Sequence, residues 1–267
     1  MNNNIRFELS FKNISQLEKK LNFCKINNIK NINIPCKGLI KKELFNSAIK
    51  YISKNFDKFN VTYHYSLYHQ YSKNQNKSYQ DFLDFVRSSH NNRNHEILLV
   101  SGSNKKKNFD SIDALSLLQK EKNLKVKLGI AYNPYLKKYY KIYSERERLE
   151  KKISTGLINS IWFQYGTDIK VLQNEVAYLK NIAKKEKLNL FGSLFIPSKQ
   201  FIARFKFRPW KEVYISEDCL YSLENFFDFT KDLVSFYKKY NINPVIESDF
   251  SSSDKLHSVY SFLENES

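Results

Sequence analysis

The chain has 267 residues, 42% of them hydrophobic and 15% aromatic, which suits one α/β barrel and excludes both a small stapled module and a disordered chain. Its formal charge is +17, but the basic residues are dispersed among Asn and Ser, with Lys far ahead of Arg. That pattern weighs against nucleic acid and favours attraction for small anionic ligands. Cys24, Cys36 and Cys219 are too scattered for a disulfide framework or a structural zinc site, and no apolar run is long enough to span a membrane.

The opening residues, MNNNIRFELSF, hold no apolar signal stretch, so the expectation is a reduced, cytoplasmic protein. Ile5–Phe11 alternates Ile5, Phe7, Leu9 and Phe11 with Arg6, Glu8 and Ser10, which predicts a first strand. Asn13–Asn27 predicts a helix capped by Asn13, and Asn31–Pro35 a short second strand stopped by its proline before a turn at Gly38. A helix over Lys42–Asn55 leads to a third strand, Asn60–Leu67, rich in β-branched and aromatic residues. Tyr68–Lys77 is polar and reads as a loop before a helix over Ser78–Ser89. The fourth strand, His95–Val100, empties into Ser101-Gly102-Ser103 and a basic loop, Asn104–Phe109. Asp110–Lys120 reads as helix, with Asp110 or Ser111 as cap.

Lys125–Tyr132 is the fifth strand, closed by Asn133-Pro134, and Tyr143–Ser154 a charged helix with Gly156 as its C-cap. In the sixth unit, Ser160–Asp168, the run Ile161-Trp162-Phe163 delivers a lone amide, Gln164, and turns through Tyr165-Gly166-Thr167-Asp168. The helix that follows carries its apolar face at Ile169, Leu172, Val176, Leu179 and Ile182. Asn189–Pro197 is the seventh strand, and beyond it FIARFKFRPW interleaves aromatics and cations at period two, as a loop. One long helix is expected over Asp218–Tyr240, an eighth strand over Asn243–Glu247, and a final helix including Leu256–Leu263 after the serine-rich Ser248–Ser253. Eight strands alternating with helices predict a (β/α)8 TIM barrel, one domain over residues 1–267, with a doubly wound open sheet as the alternative.

Chemistry in a barrel collects where its strands end. Here those ends are neutral-polar and aromatic: Glu8, Asn33, His64, Ser101, Ser103, Tyr132, Gln164, Tyr165 and Glu247. They offer no histidine pair for a hydrolytic zinc, and the chain has no Walker loop, GxSxG elbow or GxGxxG run. Glu8 reads either as an outward strand residue or as a general acid or ligand anchor, because a buried carboxylate needs a partner or a task. His64 reads as a hydrogen-bonded barrel histidine or as a cofactor contact. Gln164 reads as a loop-bonding amide or as one that holds a heteroaromatic ring edge. Basic groups lie at Lys105–Lys107, at Lys151 and Lys152, and at Arg204, Lys206 and Arg208. With Ser101 and Tyr165, Arg204 and Arg208 are candidate contacts to substrate or phosphate. Nucleic acid stacking on Phe205, Phe207 and Trp210 is the competing reading of the last group.

Taken together, Phe7-Glu8, LGIAYNP, ERERLEKKISTG and LINSIWFQYGTD resemble, in order and spacing, the catalytic barrel of methylenetetrahydrofolate reductase, in a divergent single-domain branch found in cyanobacteria and plants. The resemblance implies a flavoprotein oxidoreductase that holds FAD, or alternatively FMN, and passes hydride from a nicotinamide or other reductant to a folate-like one-carbon substrate. It implies that Glu8 is the acid and Gln164 the folate contact. His64, Ala131, Glu145 and Arg148 would meet the cofactor, with Lys151 and Lys152 as its phosphate cations. Homo-oligomerisation is an expectation from the family alone. Two departures bear on the flavin: Ser103 stands where the family has an aspartate, and FIARFKFRPW is unlike the family's loop. The alternatives are a barrel enzyme that binds folate or a phosphate ligand without flavin, and a non-catalytic protein that binds nucleic acid or a protein partner.

Overall fold

A computed structural model describes residues 5–36, 40, 42–70, 74–89, 94–101, 109–121, 125–136, 144–210 and 212–264. Eight parallel strands close into a barrel in the order of the sequence, with helices around them. This is the (β/α)8 TIM-barrel fold. The strands are β1 (Arg6–Glu8), β2 (Asn31–Ile34), β3 (Asn60–Ser66), β4 (His95–Val100), β5 (Lys127–Tyr132), β6 (Ile158–Phe163), β7 (Asn189–Leu194) and β8 (Asn243–Ile246). Between them run α1 (Ile14–Ile26), α2 (Lys42–Asn55), α3 (Leu67–Gln70), α4 (Gln75–Ser89), α5 (Ser111–Leu118), α6 (Glu145–Ile153) and α7 (Ile169–Lys185). After β7 come α8 (Lys199–Phe207), α9 (Glu217–Tyr221) and α10 (Leu223–Lys239), and α11 (Ser253–Glu264) follows β8.

Local chemistry sets these boundaries. Asn13 caps α1 by accepting from the Gln16 amide, and Asp168 caps α7 by accepting from Val171. Asp110 caps α5 in a reciprocal box with Asp113. Gly156 lies at φ +71° just past α6, a conformation that glycine takes without steric cost.

Four expectations are corrected, the first being the loop over Tyr68–Lys77, which α3 and α4 enter from either end. Helix α8 occupies most of the predicted loop FIARFKFRPW, so the period-two stripe is broken: Ile202 and Phe205 turn inward, while Phe207 is 92% exposed. The long helix expected over Asp218–Tyr240 is two helices, because Ser222 leaves α9 in an extended conformation and caps α10 through the Asn225 amide. The first strand is shorter than its alternation implies, and Gly38 and Lys105–Lys107 lie outside the described residues.

The chain divides into two compact units, Phe7–Ala131 with Arg146–Asn159, and Met1–Arg6 with Tyr132–Glu145 and Ser160–Ser267. In the first unit, Tyr63 meets Phe45 of α2 and Phe85 of α4 edge-on, so the Tyr63 side of β3 faces the helices and the Thr62–His64 side faces away from them. In the second, Gly192 is covered by the Tyr237 ring of α10, which leaves Phe191 and Ser193 on the opposite face of β7. These helix-averted faces carry the polar side chains of interest.

Candidate functional site

In the first unit the register sets Glu8 beside Asn33, Asn33 beside Thr62, and Thr62 beside Glu96. Four strands therefore contribute one polar row, in which Glu8, Asn33 and Thr62 are buried and the Thr62 hydroxyl donates to Glu96 at 3.3 Å. His64, two residues beyond Thr62, stands over this row. Asn33 Nδ2 and His64 Nε2 are hydrogen-bonded at 3.2 Å, and His64 Nδ1 lies 3.9 Å from Glu8 Oε2. The Glu8 side chain is only 3% exposed and that of His64 16%, so a buried carboxylate and amide meet a half-buried imidazole where β1, β2 and β3 end. The alternation of β1 alone had left Glu8 open to an outward reading, whereas the closed barrel buries both faces of the strand. Sequence reasoning missed Thr62 and Glu96, which stand out only once the register is known.

The α6 residues that the resemblance assigns to a cofactor differ in exposure and contacts. The Arg148 guanidinium is buried and holds Asp110 Oδ2 at 2.9 Å, tying α6 to the start of α5. Burial acts to raise the Asp110 carboxyl, but Arg148 and the capping amides more than offset it and hold it below the usual range. Lys152 is buried, Glu145 half-buried and Lys151 exposed. Ser101 shares a 2.6 Å hydrogen bond with Ser111 and accepts from the Ser111 amide, so it helps to seat α5. Ala131 is half-buried on β5, and Ser103 lies outside the described residues.

In the second unit, Gln164 extends the β6 ladder, its backbone amide donating to the Tyr132 carbonyl at 2.8 Å. Its Oε1 accepts from the Tyr165 amide at 3.2 Å, and among the described residues Nε2 has no partner. One end of the amide is thus bonded to the loop, as one reading foresaw, and the other remains a donor. The turn beyond is tightly knitted. Tyr135 covers Gly166 and donates to its carbonyl at 3.0 Å, Asn133 donates to the Glu212 carbonyl, and Thr167 bonds to Tyr214 and Ser216. Tyr165 is fully buried edge-on against Phe195, its hydroxyl has no partner among the described residues, and burial holds that hydroxyl far above the usual phenol range. The Tyr132 hydroxyl donates to Glu175 of α7.

Further along this unit, the Trp162 and Phe191 rings stack at 4.1 Å with the Arg6 guanidinium over both, and Trp162 Nε1 donates to Ser160. Next to this stack, the Ser193 hydroxyl donates to Glu247 Oε1 at 2.5 Å. Arg204 and Arg208 are exposed on and just after α8, while Lys206 lies over the Tyr221 ring at 4.4 Å. Cys24, Cys36 and Cys219 are buried free thiols, and burial pushes the Cys24 thiol up to about 12. Among the described residues no His, Cys, Asp or Glu cluster could hold a metal, and no helix is long and apolar enough to cross a membrane.

Fold and site together define a (β/α)8 barrel with polar, partly buried strand ends. Among the likenesses of this fold to solved structures are the following two. One is to an uncharacterized protein from Clostridium thermocellum that binds two copies of 5-methyl-5,6,7,8-tetrahydrofolic acid, at 12% identity and a TM-score of 0.62, over 98% of this chain and 93% of that one. The other is to active domain 2 of a chitinase from Pyrococcus furiosus, at 12% identity and a TM-score of 0.51, over 91% of this chain and 83% of that one. At these identities the likeness is one of fold. No protein-family model matches the chain, and no curated protein does.

Proposed function

We propose that this barrel binds a small folate-like molecule carrying a reduced pterin. The observation that carries the reading is the near full-length likeness to a barrel that binds methyltetrahydrofolate. The strand-end chemistry supports it. A pterin presents a ring edge of alternating donors and acceptors, and the Glu8–His64–Asn33 cluster supplies a carboxylate, an imidazole and an amide on adjacent strands. Glu8 Oε2 and His64 Nδ1 lie 3.9 Å apart, so the pair suits anchoring of a polar ring edge.

A flavin-dependent reductase acting on the same ligand is the finer reading, and it draws on the sequence resemblance. A bound flavin would supply the hydride. The α6 residues fit its ribose and phosphates poorly, because Arg148 is held by Asp110 and Lys152 is buried. The binding reading, with or without catalysis, has the better support.

Fluorescence titration of the tryptophans with 5-methyltetrahydrofolate tests this reading, with Glu8→Gln as the paired variant. Saturable quenching that weakens in Glu8→Gln is expected, and equal affinity in both proteins would remove Glu8 from the site. An absorbance spectrum of the purified protein, followed by titration with FAD and FMN, separates the finer reading. A flavin band would restore the reductase, and a colourless protein that still binds the pterin would leave a folate-binding barrel.

A further inference from the structure

Between β7 and β8 the chain builds more than the barrel needs. Helix α10 packs on the strands, its Tyr237 ring lying on Gly192, and α8 and α9 are added between β7 and that helix. The stretch that forms α8, FIARFKFRPW, is one in which the chain departs from the family it resembles. One side of the addition is seated in the fold: Ile202, Phe205 and Cys219 are buried, and Phe201 packs against Trp210 and Phe226. The other side turns rings outward. Phe207 stands almost wholly in solvent, Tyr221 is 78% exposed, and Trp210 and Tyr214 are 40% and 47% exposed. Of the six large hydrophobic side chains exposed among the described residues, these four fall within residues 207–221. Scattered rings are ordinary on a protein surface, but a cluster of them marks a place of contact.

The charges here fall into two groups. Exposed Arg204, Lys206 and Arg208 lie on and just after α8, and exposed Glu217, Asp218 and Glu224 lie on α9 and the first turn of α10. The Lys206 ammonium is 4.4 Å from the Tyr221 ring, which sets the end of α8 beside the end of α9. Even so, neither arginine forms an ion pair with these acids among the described residues. A nucleic-acid backbone or an anionic membrane would be drawn by the cations and repelled by the acids. A second copy of the chain is drawn by both. About a two-fold axis, α8 of one copy meets α9 of the other, and the same contact is made twice. Phe, Tyr, Trp and Arg are also the residues enriched at the centres of protein interfaces. At about 200 Å² per fully exposed ring, the four present about 500 Å². That is more than half of the roughly 800 Å² each partner buries in a stable pair, and the charged rim supplies the rest.

We infer that α8 and α9 form the interface of a two-fold homodimer, with Phe207 and Tyr221 at its centre and the cations of α8 facing the acids of the partner's α9. The pair forms with or without a ligand in the barrel.

Sedimentation equilibrium of the purified chain over a concentration series tests this. A reversible equilibrium between the 31.8 kDa monomer and a dimer of twice that mass is expected. Phe207→Glu is expected to weaken the dimer by about 100-fold or more, because a central ring is lost from both copies, while far-ultraviolet circular dichroism stays unchanged. Two charge variants make the sharper comparison. Arg204→Glu with Arg208→Glu turns the surface acidic, and Glu217→Lys with Glu224→Lys turns it basic. Each alone is expected to dimerise about tenfold more weakly than the wild type or worse, and a mixture of the two is expected to restore a mixed dimer. A wild-type chain that stays monomeric throughout overturns the inference, and so does a dimer indifferent to Phe207→Glu, which would lie on another face. A mixture that pairs no better than either charge variant alone overturns it as well. Phe207-dependent binding of a single-stranded oligonucleotide or of anionic vesicles by a monomeric protein overturns it in favour of that partner.

Discussion

Gly166 sits where β6 has ended and the chain turns toward α7, and the ring of Tyr135 lies directly on it. A Cβ built at Gly166 would meet Tyr135 Cε2 at 2.3 Å and its Cδ2 and Cζ at 2.5 Å. Carbon atoms rest at about 3.5–4.0 Å, so Gly166→Ala must push the ring back by about 1 Å or more. The ring cannot retreat without cost, because its hydroxyl donates to the Gly166 carbonyl at 3.0 Å and it stacks with Tyr214. Overpacking of this kind costs about 1–3 kcal/mol, and loss of one hydrogen bond about 1 kcal/mol more, giving an expected destabilisation of about 2–4 kcal/mol. Urea unfolding followed by circular dichroism reads this as a lowered midpoint at constant slope.

The decisive comparison is the same substitution made in a Tyr135→Ala background. Gly166 is not among the residues with positive φ, so once the ring is gone alanine fits there and stabilises by about 0.4–1 kcal/mol through the unfolded chain. The sign of Gly166→Ala is therefore expected to reverse between the two backgrounds. A destabilisation that persists without Tyr135, or none with it, would refute the steric argument.

Two further outcomes follow from buried groups. Tyr165→Phe is expected to stabilise by about 1 kcal/mol in thermal unfolding, because the deleted hydroxyl is buried without a partner among the described residues; a loss of similar size would mean that it has one. Burial lowers the His95 imidazole to about 4, against about 6.5 in an unfolded chain, so the unfolded state binds more protons between those values. The stability this contributes is complete above about pH 6.5 and lost as pH falls toward 4, by at most about 3 kcal/mol. His95→Phe is expected to flatten that part of the stability–pH curve relative to the wild type, and an unchanged slope would place the titration elsewhere.

The barrel was legible because its signals are local and repeated. Helix caps such as Asn13, Asp110 and Asp168, and compact β-type runs such as HEILLV, specify elements whatever lies around them. FIARFKFRPW misled because alternation of aromatics and cations fits a strand-like stripe, while in the fold Ile202 and Phe205, three residues apart, take the inward face of a helix capped by Ser198. The split at Ser222 was hidden for a related reason: a capping serine between two helical runs looks like any polar position until the chain bends there. In the site, Glu8, His64 and Gln164 could be picked out as lone polar residues at strand ends. Asn33 and Glu247 could be listed there too, but their pairing, and Thr62, Glu96 and Ser193 altogether, gain meaning only through register between strands distant in sequence. The role implied for Arg148 came from the family resemblance and that for Ser101 from its place at a strand end, and the contacts these residues make, with Asp110 and Ser111, lie across gaps that periodicity does not report.

The measurement that bears most directly on the central claim is a calorimetric titration of the purified chain with 5-methyltetrahydrofolate. Saturable binding is expected, weakened in Glu8→Gln and unaffected by substituting an exposed surface lysine such as Lys185. Absence of binding by the folded wild-type protein would contradict the folate reading and leave the likeness to the Clostridium thermocellum protein as one of fold alone.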